Sequence, residues 1–297
     1  LRPLQGQTIL GNGAVLKRCD AVTTRLSSDA KAGSTEISVD RPEIFETGQS
    51  ITPVKGRGGY KDGEYVVRHI LTATRGKTLK FTEGLLQPYP AGSTVTVKFN
   101  QIQAPGGESA FTIDGLILDG NRDNNQVYQS WTDNMGIYGR ANMIVRNCEF
   151  RDQPGTAVTA TGTNVRIENN RFFNLDGPFV HFSSTRPKNG STVTVRGNTV
   201  YRTNRRHLRM KHSQGVVTIS SDNYAIDILD NVVEDAPVPF IANFHHGMGQ
   251  WRVRGNRVTG TNGVFAGKLK KNDRTPLADI VFEENEFHDV GTSRIFR

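Results

Sequence analysis

Apolar and polar residues alternate in short bursts along most of this chain, and one six-residue pattern recurs. It reads apolar, polar, small or polar, Asn, any residue, apolar, and it appears in Val145–Phe150, Ile167–Phe172, Val195–Val200, Ile228–Val233, Val253–Val258 and Phe282–Phe287. The fourth position is Cys148, Asn170, Asn198, Asn231, Asn256 and Asn285, at separations of 22, 28, 33, 25 and 29 residues. Ile113–Leu118 reads as an earlier copy with Leu116 in the Asn place. The apolar residues are β-branched or aromatic with period two, which predicts strands and excludes a helical solenoid. Such short strands, joined by Gly, Asn and Asp turns, cannot bury an apolar face alone and must stack on their neighbours as coils. The recurring Asn is expected to form a ladder at one corner, its amides bonding to the backbone and to one another.

A second apolar strand follows each Asn: Gly136–Gly139, Ala157–Ala160, Phe179–Phe182, His207–Lys211, Phe240–Phe244 and Val264–Gly267. Alternation assigns Ile137, Val158, Ala160, Val180, Phe182, Leu208, Met210, Ala242 and Phe244 to the interior. It assigns Tyr138, Thr159, His181, His207, Arg209, Lys211, Asn243 and His245 to one outward column. Residues 19–100 break the repeat. Strands at Ala32–Val39, Gln49–Val54, Gly63–Arg68, Lys77–Phe81 and Ser93–Val97 predict a small antiparallel β-module inserted after a first coil in residues 1–18. Its expected role is to cap or brace the coil, with a ligand-gripping wall as the alternative. Residues 101–297 are expected to hold about seven coils.

The Asn copies, together with Gln7–Gly13 and Ile113–Asn121, resemble the right-handed parallel β-helix proteins of the pectate-lyase-like superfamily. The resemblance covers residues 1–18 and 101–297. It implies an all-β parallel β-helix solenoid carrying the small antiparallel insertion. It does not select an activity, because that group holds polysaccharide lyases, glycoside hydrolases, epimerases and phage tailspikes.

Charge narrows the choice. The chain carries 37 Lys and Arg against 29 Asp and Glu, a net charge of +8. No acidic residue lies between Asp176 and Asp222, a span that holds Arg186, Lys188, Arg196, Arg202, Arg205, Arg206, Arg209 and Lys211. Those eight cations equal the whole net charge, so a polyanionic partner is expected. An acidic polysaccharide cleaved by β-elimination fits the residue types. That reaction needs donors on the uronate carboxylate, a base for the adjacent proton and an acid for the leaving oxygen. Arg209 suits the carboxylate because its planar fork binds it bidentately. His181 or Lys211 suits the base, and Tyr138 or His245 the proton donor. Arg186, Arg206, His207, Asn243 and His245 would bind substrate. A solvated surface for the cations, a structural role for His181 and a core-capping ring for Tyr138 are the plainer alternatives. A hydrolase would instead pair carboxylates, with Asp119 and Asp123 the candidates. The resemblance also allows Ca2+ at that segment, as in some related lyases, although plain turn chemistry accounts for Asp119–Asn125 and no cofactor is required. Asp152, Asp176, Asp235 and Asp289 are expected as turn residues.

Several classes drop out. No stretch approaches the roughly 18 apolar residues of a spanning helix, and no amphipathic basic helix is present for a membrane surface. The basic span lies on predicted strands with few outward aromatics and no nucleic-acid recognition module, which argues against nucleic acid. Cys19 and Cys148 alone make no disulfide framework and no zinc spacing. The substrate class places the protein outside the cell or in a periplasm. Neither end carries an amphipathic cap, so a longer chain, or partner subunits in a homo-oligomer, is expected to cover the ends.

Overall fold

A computed structural model describes residues 1–55, 69–98, 100–103, 110–125, 136–139, 142–183, 192–203, 215–220, 225–243, 250–268, 280–291 and 294–296. The chain divides into two compact units. One comprises Leu1–Arg18, Gln101–Gly120 and Met135–Arg297; the other comprises Cys19–Asn100 and Asn121–Asn134.

The first unit is a parallel β-helix of three eight-stranded sheets, each coil giving one strand to each sheet. The first coil uses Gln7–Leu10, Val15–Lys17 and Ile102–Gln103, so the interruption falls inside that coil rather than after it. The fourth coil is Val165–Glu168, Arg171–Phe173 and Val180–Ser183, and the fifth is Thr192–Arg196, Thr199–Tyr201 and Val217–Ser220. The eighth ends with Arg294–Phe296. Every pairing between coils is parallel, and coils repeat at the ~4.8 Å spacing of paired strands.

The predicted ladder holds these coils in register. Asn198 Nδ2 donates to the Ile167 carbonyl at 2.9 Å and to Asn231 Oδ1 at 3.0 Å. Its own Oδ1 accepts from the Asn170 backbone N–H and side-chain amide, both at 3.0 Å. The same set repeats from Asn170 to Asn285, and Cys148 closes the series by donating its backbone N–H to Asn170 Oδ1 at 2.9 Å. The residue before each ladder position is left-handed: Asn147, Asn169, Gly197, Asp230, Gly255 and Glu284 have φ of 53–67°. Asn, Asp and Gly tolerate that region best. At Gly197 a Cβ would also fall on Asn169 Oδ1, so that side chain would have to shift.

The interior is apolar, with Val145, Ile167, Val195, Ile228 and Val253 stacked in one column. Phe150 and Phe172 stack at 4.7 Å between ring centroids, and Phe172 meets Phe179 at 4.9 Å. Each such side chain contributes about 1.5–3 kcal/mol on burial. The second unit is a six-stranded antiparallel sheet in the order Thr23–Arg25, Thr94–Lys98, Ser50–Val54, His69–Arg75, Thr78–Phe81, Glu36–Ser38. Its separate core is built on Leu26, Ile37, Val39, Ile51, Leu71, Leu79 and Val95. The predicted strand Gly63–Arg68 lies outside the described residues. Asn121–Asn125 belongs to this unit. Its 3-10 turn Arg122–Asn124 is tied down by Asn125 Nδ2 donating to the Cys19 carbonyl at 3.0 Å and Asn121 Nδ2 to Asp20 Oδ1 at 2.8 Å.

Two outcomes follow. Asn198→Ala strands buried amide and carbonyl groups on both neighbouring coils and lowers stability by about 2–4 kcal/mol, read as a fall in the urea midpoint. Asn285→Ala, at the part-buried end of the ladder, costs less. Asp114 responds to acid: Asn147 Nδ2 and Arg146 Nε each donate to its carboxylate at 2.8 Å and, with the Arg146 charge, hold its pKa below the ordinary value. A folded-state pKa below the unfolded one stabilises the fold at pH above the unfolded value, and that contribution disappears as pH falls through the folded one. Asp114→Asn should therefore flatten the acid limb of a stability-against-pH curve.

Candidate functional site

The outer face of the third sheet carries the residues singled out for chemistry. Strand pairing runs Gln103, Tyr138, Thr159, His181, Thr218, Ala242 and Ala266 along one column. The flanking columns, Val158–Val180–Val217 and Ala160–Phe182–Ile219, enter the core. Tyr138, Thr159 and His181 therefore have the outward parity that alternation predicts. Their surroundings differ from the prediction. Tyr138 is half-buried, whereas Thr159, His181 and Thr218 are each 1% exposed. His181 is thus not the solvent-facing base the pattern suggests. Its Nε2 lies 2.9 Å from Ser220 Oγ, a buried contact between adjacent strands.

Two assignments need correction. The strand beside Val180–Ser183 is Val217–Ser220, with Thr218 opposite His181 and Ser220 opposite Ser183. It occupies the slot expected for His207–Lys211. Both segments alternate, but Val217 and Ile219 are β-branched and fill the interior column that Leu208 and Met210 were expected to fill. His207, Arg209 and Lys211 lie outside the described residues, as do Arg186, Arg206 and His245. Asn243 is also displaced. It pairs with Ile219 and Gly267, which puts it in the inward column at 2% exposure, while Ala242 takes the outward place. A one-residue offset in a strand exchanges its faces. Ser220 was missed; the only sequence signal for it is the alternation of Val-Thr-Ile-Ser after Gly215 and Val216.

Both described cations of the basic span have acidic partners. Arg196 Nε lies 3.3 Å from Asp230 and Arg202 Nε 3.5 Å from Asp235, so two cations of the basic span pair with acids beyond it. The other six, Arg186, Lys188, Arg205, Arg206, Arg209 and Lys211, fall in the chain segments that follow Val180–Ser183 and precede Val217–Ser220. The rival carboxylates are engaged elsewhere. Asp119 Oδ2 accepts from Arg151 Nε at 3.2 Å, and Asp123 Oδ1 lies 3.6 Å from Arg122 Nε. Each of the two carboxylates thus has a guanidinium neighbour. Asp152, Asp235 and Asp289 have left-handed φ of 48–54°, the turn role expected of them.

No curated protein matches this sequence. Solved structures with a similar chain path include the Gp54 tailspike of Acinetobacter baumannii bacteriophage AP22, in complex with a capsular saccharide of that bacterium. It is 9% identical, with 98% of this chain and 66% of that chain covered and a TM-score of 0.24. The gp49 tailspike of Pseudomonas phage LKA1 is 11% identical at a TM-score of 0.28, with 98% and 66% covered. The catalytic domain of a GH87 alpha-1,3-glucanase in complex with nigerose is 10% identical at a TM-score of 0.32, with 94% and 88% covered. The chain spans just under two thirds of the length of those tailspikes. Residues 91–258, more than half of the chain, match the family described as right handed beta helix region, and with the eight stacked coils the chain belongs to that family.

Proposed function

We propose that this protein binds and depolymerises an acidic polysaccharide by β-elimination at the outer face of the third sheet, acting outside the cell. The family supplies a rigid scaffold but no activity. The observation that carries the reading is the charge distribution. The net charge of the chain equals that of residues 177–221, and six of the eight cations there belong to the two segments bordering adjacent third-sheet strands. A lyase develops negative charge on the uronate carboxylate in the transition state, which cations stabilise directly. A hydrolase develops positive charge at the anomeric carbon and gains nothing from them.

In this reading Arg209, with Arg186, Arg206, His207 and His245, neutralises the uronate. Lys211 removes the proton next to the carboxylate. The electron pair left by that proton forms a C=C double bond as the C–O bond at the β-carbon breaks, the C–O pair leaves with the oxygen, and Tyr138 protonates that oxygen. His181, buried against Ser220, acts through position rather than contact, fixing the strand that carries the face. Asn243, in the inward column, shapes the sheet from below.

A panel of uronic-acid polymers tests this. Ultraviolet absorbance of an unsaturated product should rise at a neutral-to-alkaline optimum, and added salt should raise KM by screening capture. Lys211→Ala should lower kcat about 100-fold or more, as loss of a general base does. New reducing ends without absorbance would establish a hydrolase instead. Tight binding with no new ends of either kind would make the protein a glycan-binding module.

A further inference from the structure

The outer face of the second sheet carries a feature that the proposed catalytic face does not use. Arg151, Phe173, Tyr201 and Glu234 pair in one outward column across consecutive coils. Beside it run Glu149, Arg171 and Thr199. Tyr201 is 39% exposed, although its neighbour Val200 is wholly buried. Arg171, Phe173, Asn174, Thr199, Tyr201 and Arg202 line a shallow depression of about 280 Å³.

Arg202 is unusual in its place. In five other coils the residue at this corner is Asp152, Asn174, Asp235, Gly260 or Asp289, all left-handed, whereas Arg18 and Gly120 hold it in the first two coils without a positive φ. Arg202 holds the same conformation at φ 55°, which a long side chain adopts less readily than Asn, Asp or Gly. In exchange its guanidinium sits 4.9 Å from the centre of the Tyr201 ring and 3.5 Å from Asp235. That cation–π contact ties the Tyr201 ring to Arg202 beside the depression. Arg171 lies at the other side, its side chain 72% exposed, with one long contact of 3.6 Å to Glu149. Most of its donor fork therefore faces solvent.

We infer that this depression is a second, non-catalytic sugar site that takes one uronate residue, its ring on Tyr201 and its carboxylate on Arg171. An aromatic face beside an open guanidinium matches a pyranose that bears an acid: the ring's C–H face covers the tyrosine, and the fork takes the carboxylate in two parallel hydrogen bonds. The inference shares with the proposed function only the class of polymer. It requires no turnover.

The test is an NMR titration of the full chain with methyl glucuronide and methyl galacturonide, using methyl glucoside as the uncharged control. The Tyr201 ring resonances should shift with at least one uronide and much less with the glucoside. Tyr201→Ala should weaken that binding about tenfold or more, the loss of one good contact. Tyr201→Phe keeps the ring and should retain most of the affinity, which separates loss of stacking from loss of fold. Arg171→Gln should abolish the preference for the uronide over the glucoside. Equal shifts with the glucoside, shifts confined to other residues, or no response to either uronide would overturn the site. So would a fall in oligomeric state in Tyr201→Ala, which would make this face an interface between copies of the chain. Because binding is read directly, an enzyme inactive on every polymer leaves this result standing, and a failed titration leaves the proposed activity untouched.

Discussion

The stacked asparagine amides are the constraint on which the β-helix depends. Asn170, Asn198, Asn231 and Asn256 lie in a buried corner where an unpaired amide would cost about 1–3 kcal/mol, so each must meet the coil above and the coil below. Meeting both fixes the vertical register of every strand on either side of the corner. The left-handed residue before each amide is the geometric condition for the corner, and it explains why Asn, Asp and Gly recur there. The ladder ends at Cys148, which supplies a backbone N–H to Asn170. Burial pushes its thiol up to about 11, so it stays protonated and behaves as a small apolar group. Below it Leu116 completes the change from a polar to an apolar corner.

Once register is set, side chains fall into columns, and each column has one environment. Asp114, Arg146, Glu168 and Arg196 follow one another on the outside of the first sheet, alternating in sign. Exposed pairs of this kind contribute about 0–1 kcal/mol each, so the column suits mutual register more than it adds stability. The third sheet differs. Its outward column holds hydroxyl and imidazole groups, yet Thr159, His181 and Thr218 are as buried as the core. A buried imidazole bonded to Ser220 stiffens two adjacent strands, and a rigid support of that kind is what a catalytic or binding face needs. The six cations outside the described residues belong to the segments bordering those strands, and the proposed chemistry assigns contacts with substrate to four of them, Arg186, Arg206, Arg209 and Lys211.

The sequence alone determined the coil. The amide ladder, the interior columns of valine and isoleucine, the left-handed turns at Asp152, Asp235 and Asp289 and the strand character of the inserted unit were all legible. Each is a local pattern: period two reports which face is apolar, and a repeated Asn reports a corner. Tertiary structure decided what local pattern leaves degenerate. His207–Lys211 and Val217–Ser220 both alternate, and only stacking beside Val180–Ser183 selects the second. Asn243 and Ala242 exchange faces because pairing with Ile219 and Gly267 sets the offset. His181 points outward and is nevertheless buried. The split of the first coil around residues 19–100 appears only when Ile102–Gln103 pairs with Ile137–Tyr138. The physical reason is common to all four. Alternation specifies parity within a strand, whereas register and burial are set by residues tens of positions away.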